Sequence, residues 1–418
     1  MKKDMMRTTI ARTLMGLLNL VFYVYIARTI GAAFVGKVSL TILHVSISAL
    51  VSGILGGSSL VYLVPKTKRA SELISLSWVG TLLMPLITLL ILFLIRVVPG
   101  DMLWIVFCLS VLNIAFQNYV NILLAFEKIW LQNMLSVLQL FLFVSMFLVY
   151  YAFIGKFLFF INPYIAFAIS LGISYFVTTF IAFVYIHREI PLKKFTWEDV
   201  RTLFLYAFKT QLASLFGLLT YRTVYFFTEK FVGLAAVGFL SIGFQLGEAL
   251  WILARSIALV QYSKIANMTS VRQALSVTFV LAVVTTFFTL VGGTILYLIP
   301  DSFYTFMLGK DFSGIKNVFG IMLPGFTFMA CSMIFVHYHS GRGKIERNLL
   351  TSFSSFITIL FLGKYFMPHF PSWVTAATIT SIAYAVHWLL SFIFYWKDVR
   401  KNPFSWKEGM QVVFSKKL

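Results

Sequence analysis

The chain has 418 residues, 60% of them hydrophobic and only 11% charged, with a net charge of +20. That balance excludes a soluble core, where about half the residues are apolar and about a quarter charged. Its two cysteines, Cys108 and Cys331, lie far apart inside apolar stretches, so they read as small packing residues and not as a disulfide or metal site.

Apolar runs of about 20 residues, the length that crosses the hydrocarbon layer as a helix, recur down the whole chain. An outer-membrane barrel would show short alternating strands instead. The expected fold class is an all-α polytopic membrane protein with about twelve transmembrane helices, in two six-helix lobes related by a parallel repeat. The predicted spans are 9–30, 37–64, 72–95, 102–125, 131–154, 163–186, 203–228, 236–262, 273–299, 314–338, 348–367 and 373–396. The first follows a basic start, Met1-Lys-Lys-Asp, with no small-residue cleavage pattern, and reads as a retained span. In domain terms, 1–190 is an N-terminal lobe, 191–202 a cytoplasmic linker, 203–400 a C-terminal lobe and 401–418 a cytoplasmic tail.

In a soluble protein +20 would point to nucleic acid. Here the basic residues gather at every second loop, which is a topology signal, and no nucleic-acid partner is expected. With the N-terminus inside, 24 of the 34 Lys and Arg fall on the cytoplasmic side. Eight fall outside: Arg28, Lys37, Arg96, Lys156, Lys230, Lys310, Lys316 and Lys364. Arg222 and Arg255 stay within spans. Both termini are therefore expected in the cytoplasm.

An internal repeat supports two like-oriented halves. Gly31-Ala-Ala-Phe-Val-Gly-Lys-Val-Ser-Leu aligns without a gap on Gly233-Leu-Ala-Ala-Val-Gly-Phe-Leu-Ser-Ile, pairing Gly31 with Gly233, Val35 with Val237, Gly36 with Gly238 and Ser39 with Ser241. Breaks are expected at Gly53, Gly56 and Gly57 in the second span, at Pro85 in the third and at Pro324-Gly325 in the tenth.

Polar side chains inside the spans carry the functional signal. Each costs about 2.5–3.5 kcal/mol at the centre of an inserted helix, so it should face a cavity or a partner. In the eighth span Ser241, Gln245, Glu248, Ile252 and Arg255 fall on one helical face, polar for about four turns. The seventh offers Gln211, Leu218, Arg222, Tyr225 and Glu229; the first Thr8, Arg12, Asn19 and Tyr23 or Phe22; the fourth Asn113, Gln117 and Asn121. His44 and Ser48 share a face of the second. The alternative for Glu248 is an internal pair, with Arg255 two turns away or with a neighbouring helix, that only fixes packing. Cations outnumber the single central carboxylate, which suits an anionic substrate because guanidinium groups clamp phosphate oxygens. Tyr221, Tyr225 and Trp251 add faces on which sugar rings stack.

The stretch Tyr25-Ile-Ala-Arg-Thr-Ile-Gly-Ala-Ala-Phe-Val-Gly with Pro65-Lys-Thr-Lys-Arg resembles the start of bacterial polysaccharide-biosynthesis flippases. These belong to the multidrug/oligosaccharidyl-lipid/polysaccharide exporter superfamily. Met307-Leu-Gly-Lys-Asp-Phe, Leu323-Pro-Gly and His339-Ser-Gly-Arg-Gly-Lys resemble the passage around their tenth span. The resemblance covers essentially the whole chain. It implies translocation of undecaprenyl-diphosphate-linked oligosaccharide across the bacterial cytoplasmic (inner) membrane, through a cavity open alternately to each side.

The resemblance matches no individual substrate residue; the polar faces give Arg12, Arg222, Arg255, Asn19, Asn113, Gln117, Asn121, Gln211, Tyr221 and Gln245 as the substrate-binding residues. Glu248 and His44 would couple transport to protons or sodium ions. The partners are a polyprenyl-diphosphate-linked oligosaccharide and the lipid bilayer. A multidrug or cation antiporter of the same superfamily is the alternative. A membrane glycan polymerase or ligase fits less well, because the outer loops are short. With no Gly-rich Lys-Ser/Thr loop, zinc-ligand spacing or nucleophile constellation, neither an enzyme nor a cofactor is expected.

Overall fold

A chain this apolar can satisfy its backbone in lipid only by pairing each N–H and C=O within its own segment or in a closed barrel. The computed structural model describes residues 2–57, 59–67, 69–151 and 162–414, and every regular element among them is helical. Lys68, Lys156, Lys416, Lys417 and the end of the predicted fifth span, 152–154, lie outside the described residues. The helices are α1 (Lys2–Thr29), α2 (Ala32–Ser52), α3 (Ser59–Lys66), α4 (Ala70–Leu94), α5 (Leu103–Ala125), α6 (Ile129–Val149), α7 (Pro163–His187), α8 (Trp197–Phe231), α9 (Leu234–Ala249), α10 (Trp251–Asn267), α11 (Val271–Leu298), α12 (Asp301–Leu308), α13 (Lys316–Gly341), α14 (Ile345–Phe366), α15 (Trp373–Lys401) and α16 (Trp406–Phe414).

Among the described residues, eleven helical segments are long and apolar enough to cross a membrane, and α9 with α10, bent by 48°, supplies a twelfth. The predicted count of twelve spans stands, but two spans differ from the straight helices read in the sequence. In the second, the helix gives way at Ser52 to a 3-10 turn, Gly53–Leu55, and restarts at Ser59 after Gly57 takes a positive φ of 59°. Asn118 of α5 replaces the lost ladder: its Oδ1 accepts from Gly57 N–H at 2.8 Å and its Nδ2 donates to Thr81 Oγ1 at 3.1 Å. The eighth span bends between Ala249 and Trp251. Its polar face is therefore two shorter faces at an angle. Pro85 and Pro324, in contrast, are carried inside unbroken α4 and α13.

The chain forms two compact units, one of Met1–Ile26 with Leu40–Leu215 and one of Ala27–Ser39 with Phe216–Leu418. The first packs Leu60, Leu73, Ile74, Ile122, Leu135 and Ala182 in its core, and Arg69 ties α4 to the start of α8 through Asp199 at 2.9 Å. The second packs Ala258, Ile265, Leu275, Phe335, Tyr338 and Tyr395. Without water to squeeze out, such cores are held by close van der Waals fit, and small residues set the approach.

The repeat is visible in the second unit. Gly31 and Gly233, ahead of α2 and α9, have φ of 106° and 109°. Gly36 and Gly238 then touch. A Cβ on Gly36 would run into the carbonyl oxygen of Leu234, and one on Gly238 into that of Ala32. The passages of the resemblance around the tenth span prove to be fastenings in the same unit. Gly309 has φ of 97°, and Asp311 accepts from the Ala32 N–H at 3.2 Å. Gly325 lets α13 approach Ser381 of α15. Arg342 donates to Met268 O at 3.1 Å, and Lys344 reaches Asp398 at 2.6 Å. Beyond residue 401 the chain turns helical again. There α16 lies on α11 through Arg272–Glu408 at 3.3 Å, and Phe404, just ahead of α16, packs on Phe279 at 4.3 Å.

Candidate substrate-binding site

Two helices of the second unit bring opposite charges together. Arg222 sits on α8, ahead of the turn at Gly233, and Glu248 lies in the last turn of α9. Arg222 Nη2 is 2.8 Å from Glu248 Oε1 and donates to Oε2 at 3.1 Å. Arg222 Nη1 donates to Tyr225 Oη at 2.9 Å, one turn along α8. Both charged side chains are 19% exposed, so the pair is largely sheltered and still reachable. The sequence left Glu248 a choice of partners; the structure gives it Arg222 on the neighbouring helix.

The bend after α9 places Trp251 beside this pair. Its indole is fully buried and donates to Phe326 O at 2.9 Å, while Gly247 makes room for the Phe326 ring. Tyr221, Trp251 and Tyr384 form an aromatic triad with ring centroids 5.7–5.8 Å apart. One turn beyond Trp251, the Arg255 guanidinium carbon stands 5.9 Å from the Trp251 ring centre. Arg255 is exposed and has no carboxylate within ion-pair distance among the described residues. The cluster thus offers one neutralised cation, one open cation and the half-buried ring of Tyr221, backed by buried aromatics, around a single carboxylate.

Tyr384 was not named from the sequence, yet a signal was there. Thr380, Tyr384, His387, Ser391, Tyr395 and Asp398 recur every three to four residues along α15, and all are buried. This stripe continues away from the charged pair as a hydrogen-bonded seam. His387 Nδ1 lies 2.7 Å from Ser332 Oγ, which lies 2.9 Å from Ser391 Oγ, and His339 Nε2 donates to Ser391 O at 3.1 Å. Tyr395 donates to Leu275 O at 2.9 Å, and Asp398 ends the seam by accepting from Tyr338, Lys344 and Arg347.

The other sequence-named residues lie elsewhere. Gln245 is half-buried on α9, one turn before Glu248. In the first unit, Arg12 and Asn19 are exposed on α1 and His44 is buried on α2. Gln117 donates to Asn113 at 3.0 Å, a bond within α5, and Asn121 is half-buried one turn on. Gln211 is buried with its amide against Gly53, where α2 unwinds. Asn118, which secures that unwound turn, was not named: it lies beside the stripe of Asn113, Gln117 and Asn121 and not within its four-residue spacing.

No family model matches the chain, and no curated protein matches it. Solved structures do. The chain is similar to the lipid II flippase MurJ in an inward closed conformation, with a TM-score of 0.73 at 16% identity over 97% of this chain and 89% of that one. It is also similar to an inward-facing multidrug resistance MATE family transporter of the MOP superfamily (TM-score 0.68, 13% identity, 95% and 98% covered). A mutant of the Vibrio cholerae MATE transporter VcmN gives 0.63 at 14% identity, with 96% and 97% covered. At these identities the likeness establishes the fold.

Proposed function

Starting from a polytopic chain with the fold of the MOP-superfamily transporters, we propose that it is a flippase. It moves a polyprenyl-diphosphate-linked oligosaccharide across the bacterial cytoplasmic membrane by alternating access, in the assembly of a surface polysaccharide. The observation that carries this reading is the charge balance of the cluster in the second unit. Its one carboxylate, Glu248, is already neutralised by Arg222, and Arg255 adds an uncompensated guanidinium beside the Trp251 ring. A site of that sign takes an anion, and the partly exposed Tyr221 ring suits a sugar.

In this proposal Arg255 and Arg222 hold the diphosphate, the half-buried Tyr221, backed by the buried Trp251, packs against the first sugar, and the polyprenyl tail stays in lipid. Both termini lie in the cytoplasm, as the distribution of Lys and Arg indicates. With the cell interior negative, carrying two phosphate charges outward is downhill by about 4–5 kcal/mol at 100 mV, at about 2.3 kcal/mol per charge. A cation or multidrug antiporter would need a carboxylate free to bind cations, and here Arg222 occupies it. The neighbour that acts on a lipid-linked substrate, the lipid II flippase, is in keeping with this choice.

The test is Arg255→Ala in the producing cell. Surface glycan export is expected to stop while the amount of membrane-inserted protein stays the same. Export at full rate would refute the phosphate clamp. Drug sensitivity of a deletion strain, with normal glycan, would favour the antiporter.

A further inference from the structure

The Arg222–Glu248 pair is incomplete. Both carboxylate oxygens converge on the single nitrogen Nη2, and only Oε2 accepts a directed hydrogen bond. The buried Oε1 accepts none. The second guanidinium nitrogen, Nη1, serves Tyr225. A fork-to-fork pair would use two nitrogens for two oxygens and hold more firmly.

Close by is a hydroxyl in the opposite situation. Tyr384 is fully buried, and its Oη has no hydrogen-bond partner among the described residues. Its ring is fixed between Tyr221 and Trp251, and Trp251 is itself pinned to Phe326. Those two rings tie it to the ion pair: Tyr221 adjoins Arg222 in sequence, and Trp251 follows Glu248 by three residues. A buried hydroxyl without a partner is unfavourable and rare. Here the same cluster holds an under-satisfied acceptor, Glu248 Oε1, and an under-satisfied donor, Tyr384 Oη.

We propose that Glu248 is a movable counter-ion with two alternative partners: Arg222 in the unloaded protein, and the Tyr384 hydroxyl once a diphosphate occupies Arg222. The inference rests on the phosphate reading above and deepens it. A phosphate group can grip the Arg222 guanidinium with two oxygens only after the carboxylate has left, because two anions on one fork repel. Tyr384 supplies a ready donor for the displaced carboxylate, so the departing group is not stranded. Tyr384 is then a positioning residue: it touches no substrate, and it sets how readily Arg222 is released.

The experiment uses the purified full-length protein in lipid nanodiscs, with farnesyl diphosphate as probe and farnesol as its uncharged control. The wild type is expected to bind the diphosphate more tightly than the alcohol. Tyr384→Phe, which keeps the ring, is expected to weaken diphosphate binding about fivefold, the loss of one hydrogen bond. Glu248→Gln is expected to bind at least as tightly as the wild type, and adding Tyr384→Phe to it is expected to change nothing. In infrared difference spectra the probe is expected to shift a carboxylate band in the wild type that is lost in Glu248→Gln and displaced in Tyr384→Phe. Equal losses from Tyr384→Phe in both backgrounds would overturn the two-partner model. So would an unaltered Tyr384→Phe in a protein that still prefers the diphosphate. A wild type indifferent to the diphosphate would remove the phosphate reading, and this inference with it.

Discussion

Gly36 and Gly238, equivalent positions of an internal repeat, pack directly against each other, and each leaves room for a carbonyl oxygen four residues upstream on the other's helix. The contact is self-complementary: Gly36 meets Leu234 O, and Gly238 meets Ala32 O. The obstacle is backbone, so no rotamer change relieves a methyl group placed there. Gly36→Ala and Gly238→Ala should each destabilise by about 1–3 kcal/mol, the usual range for overpacking. Gly16→Ala and Gly217→Ala, at helical positions with nothing within 4 Å of a Cβ, should be neutral or mildly stabilising. Thermal midpoints of the four purified variants decide it, and an unchanged Gly36→Ala would mean that the helices yield at that point.

Asp398 anchors the far end of the polar seam, accepting from Tyr338, Lys344 and Arg347. Asp398→Asn leaves two cations without their anion. Losing one partner of a fully buried pair costs about 3–5 kcal/mol, and the partial exposure of Lys344 and Arg347 lowers the expected loss to about 2 kcal/mol. The position is fourteen residues along α15 from Tyr384, about 21 Å at the helical rise. Stability measured by denaturation should therefore fall while affinity for a diphosphate lipid holds. A large affinity loss without destabilisation would tie the seam to substrate handling instead.

How much of this was legible beforehand depended on whether the cause was local. The spans were, because length and apolarity are local properties. So was the break in the second span, where Gly53, Gly56 and Gly57 remove side chains at the point where Asn118 and Gln211 press in. The 48° bend before Trp251 was not, since no proline marks it; it accompanies packing of Phe326 against Gly247 and Trp251, a long-range contact. Arg222, Glu248, Arg255 and Tyr221 could be named because charge or aromatic character stands out in an apolar helix. Their pairing depended on the angle between α8 and α9, which periodicity does not encode. Tyr384 and His387 were hidden for another reason. Their stripe along α15 is periodic, but tyrosine, serine and threonine are ordinary in such helices and draw attention only once seen to be buried together.

The charged pair itself should behave as a coupled unit. Glu248→Ala and Arg222→Ala each expose the other charge, and the double variant removes both. A double-mutant cycle on thermal stability is expected to give a coupling of about 1–2 kcal/mol, with the double variant less impaired than the sum of the singles. Strict additivity would mean that the two groups do not stabilise each other in the folded protein.

Orientation is checked independently of transport. In a background with Cys108 and Cys331 replaced, single cysteines at Lys407 and Lys364 should lie on opposite faces of the membrane. A membrane-impermeant thiol reagent applied to intact cells should label position 364 and spare 407 until the cells are opened. The reverse pattern would invert the assigned topology.

The central claim is that Arg222 and Arg255 hold the diphosphate of a lipid-linked oligosaccharide while it crosses. The most direct measurement is translocation of an undecaprenyl-diphosphate-linked oligosaccharide in proteoliposomes by the wild type, Arg222→Ala and Arg255→Ala at matched protein content. Each substitution should slow translocation by about tenfold or more, since a charge-assisted hydrogen bond contributes about 1.5–3 kcal/mol. Wild-type rates in both variants would contradict the account.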